Sequence, residues 1–172
     1  MKIADLSQNA HAHFYATYIK TLKEDETLMG AMSQGQKNMV HFMNHLPQDK
    51  LHHTYAMGKW TVAEVLLHII DSERVFQYRA LRFGRGDKTE LPGFDQDAYV
   101  LQSGAQTRCG EELLEEYRAV RQASLTLFTS FTHEQLSRTG TASGLPWSVG
   151  ALGFVISGHQ RHHLNILKER YL

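Results

Sequence analysis

Hydrophobic residues recur along this chain at steps of three, four and seven, the spacing that gathers them on one side of an α-helix. Four long segments carry that pattern. The first covers residues 25–46, with Asp25 as its cap and Met29, Met32, Met39, Met43 and Leu46 on its inner side. Pro47 ends it, because proline cannot continue the helical hydrogen-bond ladder. A shorter helix, or the approach to one, is expected before it in FYATYIKTL. The second long helix opens at Thr61, where Glu64 three residues on completes a capping-box pattern and Trp60 and Val65 are spaced for a hydrophobic staple. It runs to Phe83, and Gly84 and Gly86 stop it. The third covers residues 111–131, with Leu113, Tyr117, Val120, Ser124, Leu127 and Phe131 on its seam. Thr132 and Gln135 mark a short capped turn, residues 139–144 read as a Gly/Ser/Thr linker, and the last helix spans 147–172. No stretch sustains apolar–polar alternation, so no half-buried sheet is expected.

Four amphipathic helices joined by connections that can reverse direction describe an all-α protein, a four-helix bundle, here in a single domain over residues 1–172. The connection between the second and third helices, residues 84–110, is long for a compact domain. Such loops carry function or cross the end of a bundle.

The phase of the last helix raises the chemical question. At roughly 100° per residue, Val149, Leu152, Val155, Ile156, Ile166 and Leu167 share one side, with His159 and His163 near its middle. Arg161, His162, Asn165, Lys168 and Glu169 take the other. Histidines four residues apart stack one turn above another, so their imidazoles can converge on one metal ion. His41 and His45 have the same spacing but project away from the Met39, Met43 and Leu46 side, and read as solvent-facing. A third ligand would come from a facing helix, and His68 is the only histidine within the second long helix. Glu64, Asp71, Ser72 and Asn165 are near enough in sequence to hold the second ring nitrogens, and Glu64 and Asp71 to accept a proton. Against this stands the simpler reading of core histidines satisfied by backbone or water. Two on one buried stripe weaken it, since each buried imidazole needs its own partners.

Composition narrows the rest. The chain has 172 residues, 42% of them hydrophobic, and 18 basic side chains against 18 acidic ones. That neutrality offers no electrostatic case for nucleic acid or an anionic membrane. A lone cysteine, Cys109, excludes an internal disulfide and a cysteine-based zinc site, and reads as a loop residue. With no apolar run suited to a signal peptide or a membrane span, a cytoplasmic location is expected. The remaining histidines, at 11, 13, 52, 53, 133 and 162, read as surface or loop positions.

Three segments resemble the DinB superfamily, in particular its YfiT-like branch: YAMGKWTVAEVLLHIIDSERVFQYRALRFGRGD, LPGFDQDAYV and SVGALGFVISGHQRHHLNILKERYL. The resemblance covers residues 13–172. It implies a four-helix bundle holding a divalent metal, commonly nickel or zinc, through three histidines that by motif are His68, His159 and His163. It also implies a homodimer and a small-molecule substrate. Family members are described as metal-dependent hydrolases, and several use a low-molecular-weight thiol in S-transfer or isomerisation. The expected function is therefore a metal-dependent hydrolase or a thiol S-transferase. The alternative is a non-catalytic, stress-related binding bundle with a structural or incidental metal.

Overall fold

A computed structural model describes residues 1–6 and 15–172. Its elements are α1 (Ala16–Ile19), α2 (Leu28–Asn44), α3 (Val62–Gly84), α4 (Gln96–Gln102), α5 (Gly110–Thr129), α6 (His133–Ser137), β1 (Thr139–Ala142), β2 (Leu145–Ser148) and α7 (Val149–Arg170). The long helices α2, α3, α5 and α7 form the expected bundle. Around its perimeter the order is α2, α5, α3, α7, so α2 lies diagonal to α3 and α5 diagonal to α7, while α3 and α5 are neighbours.

Two hydrophobic clusters fill the bundle, one towards each end. The first joins the N-terminal halves of α2 and α7 to the C-terminal halves of α3 and α5, with Met32, Phe76, Phe128 and Phe154 among its residues. The second joins the opposite halves, through Met39, Leu66, Leu113 and Leu164. It follows that α2 runs parallel to α7, α3 runs parallel to α5, and the two pairs are antiparallel to each other. This explains the long connection 85–109. Parallel neighbours must be joined by a chain that travels back along the whole bundle, and α4 lies within that return path.

A polar layer separates the clusters. Arg121 on α5 donates from Nε and Nη2 to the two carboxylate oxygens of Glu73 on α3, both at 2.7 Å, and from Nη1 to the Met32 carbonyl on α2 at 3.0 Å. Next to it the Tyr117 hydroxyl donates to Oε1 of Gln160 on α7 at 2.8 Å, and the Gln160 amide donates to the Gly35 carbonyl at 2.7 Å. Gly35 leaves room for these groups, since a Cβ there would stand 2.9 Å from the Arg121 guanidinium. All four helices are tied together in one buried, hydrogen-bonded plane.

Capping follows the local chemistry in most places. Thr61 Oγ1 accepts from the Glu64 amide while Glu64 accepts from the Thr61 amide, and Thr132 and Gln135 do the same for α6. Three expectations need correcting. The cap of α2 is Thr27, which accepts from the Gly30 amide, rather than Asp25. The 139–144 linker is the first strand and turn of a hairpin, whose second strand takes Trp147 away from the last helix. Its turn residues Ser143 and Gly144 both have positive φ, 56° and 70°, the conformation that matches a two-residue turn to twisted strands. With only four residues per strand, the hairpin is too short to show alternation. Finally, α7 is not simply amphipathic. From Val149 to Gln160 every residue is buried, because α1, α2, α3, α6 and the hairpin surround it.

Candidate metal centre

The three histidines singled out by phase and motif meet in space. His68 lies in the N-terminal half of α3, His159 at the middle of the antiparallel α7 and His163 one turn further on, so the facing helices bring them to one level. Nε2 of His159 stands 3.0 Å from Nε2 of His68 and 3.1 Å from Nε2 of His163. Among the described residues this is a three-ligand group that could hold a metal ion, with its ligand atoms within 4.8 Å of one another. Tetrahedral coordination by imidazoles at 2.0–2.1 Å places ligand nitrogens about 3.3 Å apart. The two spacings from His159 are slightly shorter than that, and the donor set fits a divalent ion.

Burial makes the ring nitrogens available. It pushes the His68 imidazole down to about 4 and, with the charges of His68 and His162 adding to it, the His163 imidazole down to about 3. His159 is buried most deeply and is also held far below the ordinary imidazole range, by burial first and then by His163, His68 and His162. All three are therefore neutral at pH 7, the form that binds metal.

Aromatic rings wall the group. The Trp60 ring lies 5.0 Å from that of His68, and Tyr18 and Phe76 present edges to His159 at 5.0 and 6.2 Å. The approach of Tyr18 depends on Gly158, where a Cβ would stand 2.3 Å from the Tyr18 carbonyl oxygen. On the remaining side, a cleft of about 290 Å³ reaches His163 and is lined by Tyr55, Lys59, Trp60, Asp97 and Tyr171.

The expected supporting carboxylates are engaged elsewhere. Glu64 closes the cap of α3 with Thr61, and Asp71 pairs with Arg74 at 3.3 Å. Asn165 is exposed and Ser72 is buried. His41 and His45 are exposed, as their phase implied, with His45 Nδ1 2.8 Å from the His41 carbonyl. His52 and His133 are exposed and His53 and His162 half-buried, while His11 and His13 lie outside the described residues. Cys109 is free and exposed at the cap of α5, a helix terminus rather than plain loop. Sequence reasoning assigned no role to Asp97, Lys59 or Tyr55. The available signal was that all three lie in segments that carried the resemblance, Tyr55 and Lys59 in YAMGKWTVAE and Asp97 in LPGFDQDAYV, without any chemistry assigned to them.

Comparison with known proteins agrees with this architecture. The model of the DinB superfamily matches residues 31–167. A protein of Oceanobacillus iheyensis, named Putative metal-dependent hydrolase OB0413, is 25% identical over 128 residues, 73% of each chain. Among solved structures, YfiT from Bacillus subtilis, described as a probable metal-dependent hydrolase with an unusual four-helix bundle topology, superposes with a TM-score of 0.75. It has 17% identity and 86% of each chain covered. A mycothiol-dependent maleylpyruvate isomerase superposes at 0.65 with 10% identity, over 89% of this chain and 62% of its own. Its helical bundle, its hairpin and the family match over most of its length place the chain in one group: it belongs to the DinB superfamily.

Proposed function

We propose that His68, His159 and His163 hold one divalent metal ion, nickel or zinc as the family resemblance implies, and that the protein is a metal-dependent enzyme acting on a small molecule. The observation that carries this is the convergence of three neutral Nε2 atoms on one point beside a cleft. Among the described residues no fourth histidine, cysteine or carboxylate joins the group. That favours an open coordination position over a closed structural site.

A metal so held would act as a Lewis acid, lowering the pKa of a bound water or of a substrate thiol. The chain's own residues do the remaining work. Trp60, Tyr18 and Phe76 keep water from the buried side of the imidazoles, and the cleft admits substrate along His163. Hydrolysis is the reading supported by the names of the bacterial relatives. Thiol S-transfer is the second, favoured by the opposite charges of Lys59 and Asp97 in the cleft, which suit a thiol carrying both a carboxylate and an ammonium group. The homodimer belongs to the same proposal.

Elemental analysis of purified wild type and of His159→Ala tests the centre, with about one metal per chain expected in the first and close to none in the second. Equal content in both would overturn it. Metal-loaded protein screened against esters and amides, and against electrophiles with glutathione or bacillithiol, then separates the two reactions. Inactivity in every assay with metal still bound would instead support the non-catalytic bundle.

A further inference from the structure

Two arginines are buried in this bundle, and they are treated differently. Arg121 is neutralised by Glu73 through two hydrogen bonds. Arg79, only 2% exposed, has no acidic partner among the described residues. Its Nη2 donates to the Pro92 carbonyl at 3.0 Å and to Ser143 Oγ at 2.9 Å, both uncharged acceptors. Its guanidinium lies 5.9 Å from the Phe76 ring centre and 6.0 Å from that of Phe94, and the Tyr15 phenol is a hydrogen-bonding neighbour of it. Nη1 is buried and has no hydrogen-bond partner among the described residues. A desolvated cation without a counter-charge is costly, and an orphaned donor adds to that cost.

Arg79 is one of the residues that line a cleft of about 310 Å³, whose other walls include Leu91, Pro92, Phe94 and Tyr99, and a small turn of its side chain would bring Nη1 to that opening. The Phe94 and Tyr99 rings lie 5.3 Å apart at its mouth. The second arginine of the cleft, Arg74, is already paired with Glu116 at 2.6 Å, and Tyr78 is held by Arg82. This leaves one unneutralised charge with one free nitrogen, set among flat apolar surfaces.

We infer that Arg79 is the anchor of a second ligand site, which binds a small carboxylate with a flat, apolar body. A monoanion balances the single positive charge, and a carboxylate oxygen satisfies Nη1 in the plane of the guanidinium. A phosphate would bring more charge and more acceptors than this cleft answers. The site is separate from the histidine centre. Arg79 follows His68 by eleven residues on α3, about 16 Å along the helix axis. The two clefts have no lining residue in common, although α3 and the segment 94–99 contribute to both, the latter giving Asp97 to one and Phe94 and Tyr99 to the other.

Benzoate is a suitable probe, titrated by calorimetry and by NMR into wild type and into His159→Ala, so that the outcome does not depend on metal. Saturable one-to-one binding to both proteins is expected, with shifts at Phe94 and Tyr99 and a rise in melting temperature. Arg79→Gln should weaken binding about tenfold or more. Phe94→Ala, a change in a half-buried loop residue that keeps the buried framework, should weaken it several-fold. Absence of saturable binding to wild type, or affinity unchanged in Phe94→Ala and in any folded Arg79→Gln, would overturn the site. Binding of inorganic phosphate in place of benzoate would overturn the carboxylate assignment.

Discussion

Nε2 of His68 and Nε2 of His159 lie 3.0 Å apart although 91 residues separate them in the chain. Both imidazoles are buried, and burial lowers the proton affinity of each. Between them they can make one ring-to-ring hydrogen bond, and His163 competes for the same nitrogen of His159 at 3.1 Å. Three nitrogens converging on one point are better satisfied by a cation than by each other.

That arrangement sets the pH dependence of the metal-free protein. Unfolded histidine binds a proton near pH 6.5, whereas folded His68 and His163 resist until about 4 and about 3. As pH falls through this window the unfolded state takes up protons that the folded state refuses, so stability drops. It is fully present above about pH 6.5 and progressively lost below, with His68 alone contributing on the order of 3 kcal/mol. Urea unfolding in chelator at about pH 7 and pH 5 checks this. A flat profile across that range would contradict it.

The polar layer makes a second test. Glu73→Gln strips the carboxylate from a fully buried guanidinium and should cost about 3–5 kcal/mol. The double change Glu73→Leu with Arg121→Met removes both charges and should recover most of that loss. Denaturant midpoints of wild type, Glu73→Leu, Arg121→Met and the double variant measure the coupling directly. Near-additive losses would show that the two charges act independently.

Close approach at Gly158 predicts a more local effect. Gly158→Ala places a Cβ against the Tyr18 carbonyl and must push α1 away from α7. A loss of about 1–3 kcal/mol is expected, as for other overpacked sites. The Tyr18 ring should also leave the edge of His159, visible as a change in the ring-current shifts of that imidazole in NMR spectra.

The exposed histidine pair supplies a contrast. His41→Gln with His45→Gln should leave tightly bound metal unchanged, because those rings project into solvent without a third ligand among the described residues. Elemental analysis after gel filtration reads this. Loss of the bound ion in that variant would move the metal site away from α3 and α7.

Much of this was legible because it is local. A helix repeats every 3.6 residues, so the inward phase of His159 and His163 and the outward phase of His41 and His45 could be counted from neighbours alone. The boundaries of α3 and α6 were legible for the same reason, since Thr61 with Glu64 and Thr132 with Gln135 bond within a single turn. Other features depend on what lies across the chain. The pairing of Arg121 with Glu73 joins residues 48 apart in the chain, and only the helices packed around them make burial tolerable. Arg79 acquires its setting from Pro92 and Ser143, the latter 64 residues away. The all-round burial of Gln160 required α2 and α5 to supply a carbonyl and a hydroxyl. By itself the sequence determined where α3 and α6 begin, that four long helices form, and which histidines share a face, because those are properties of a few successive residues. Tertiary structure alone decided the diagonal helix order, the level at which His68 meets His159 and the isolation of Arg79, because each depends on packing between segments far apart in the chain.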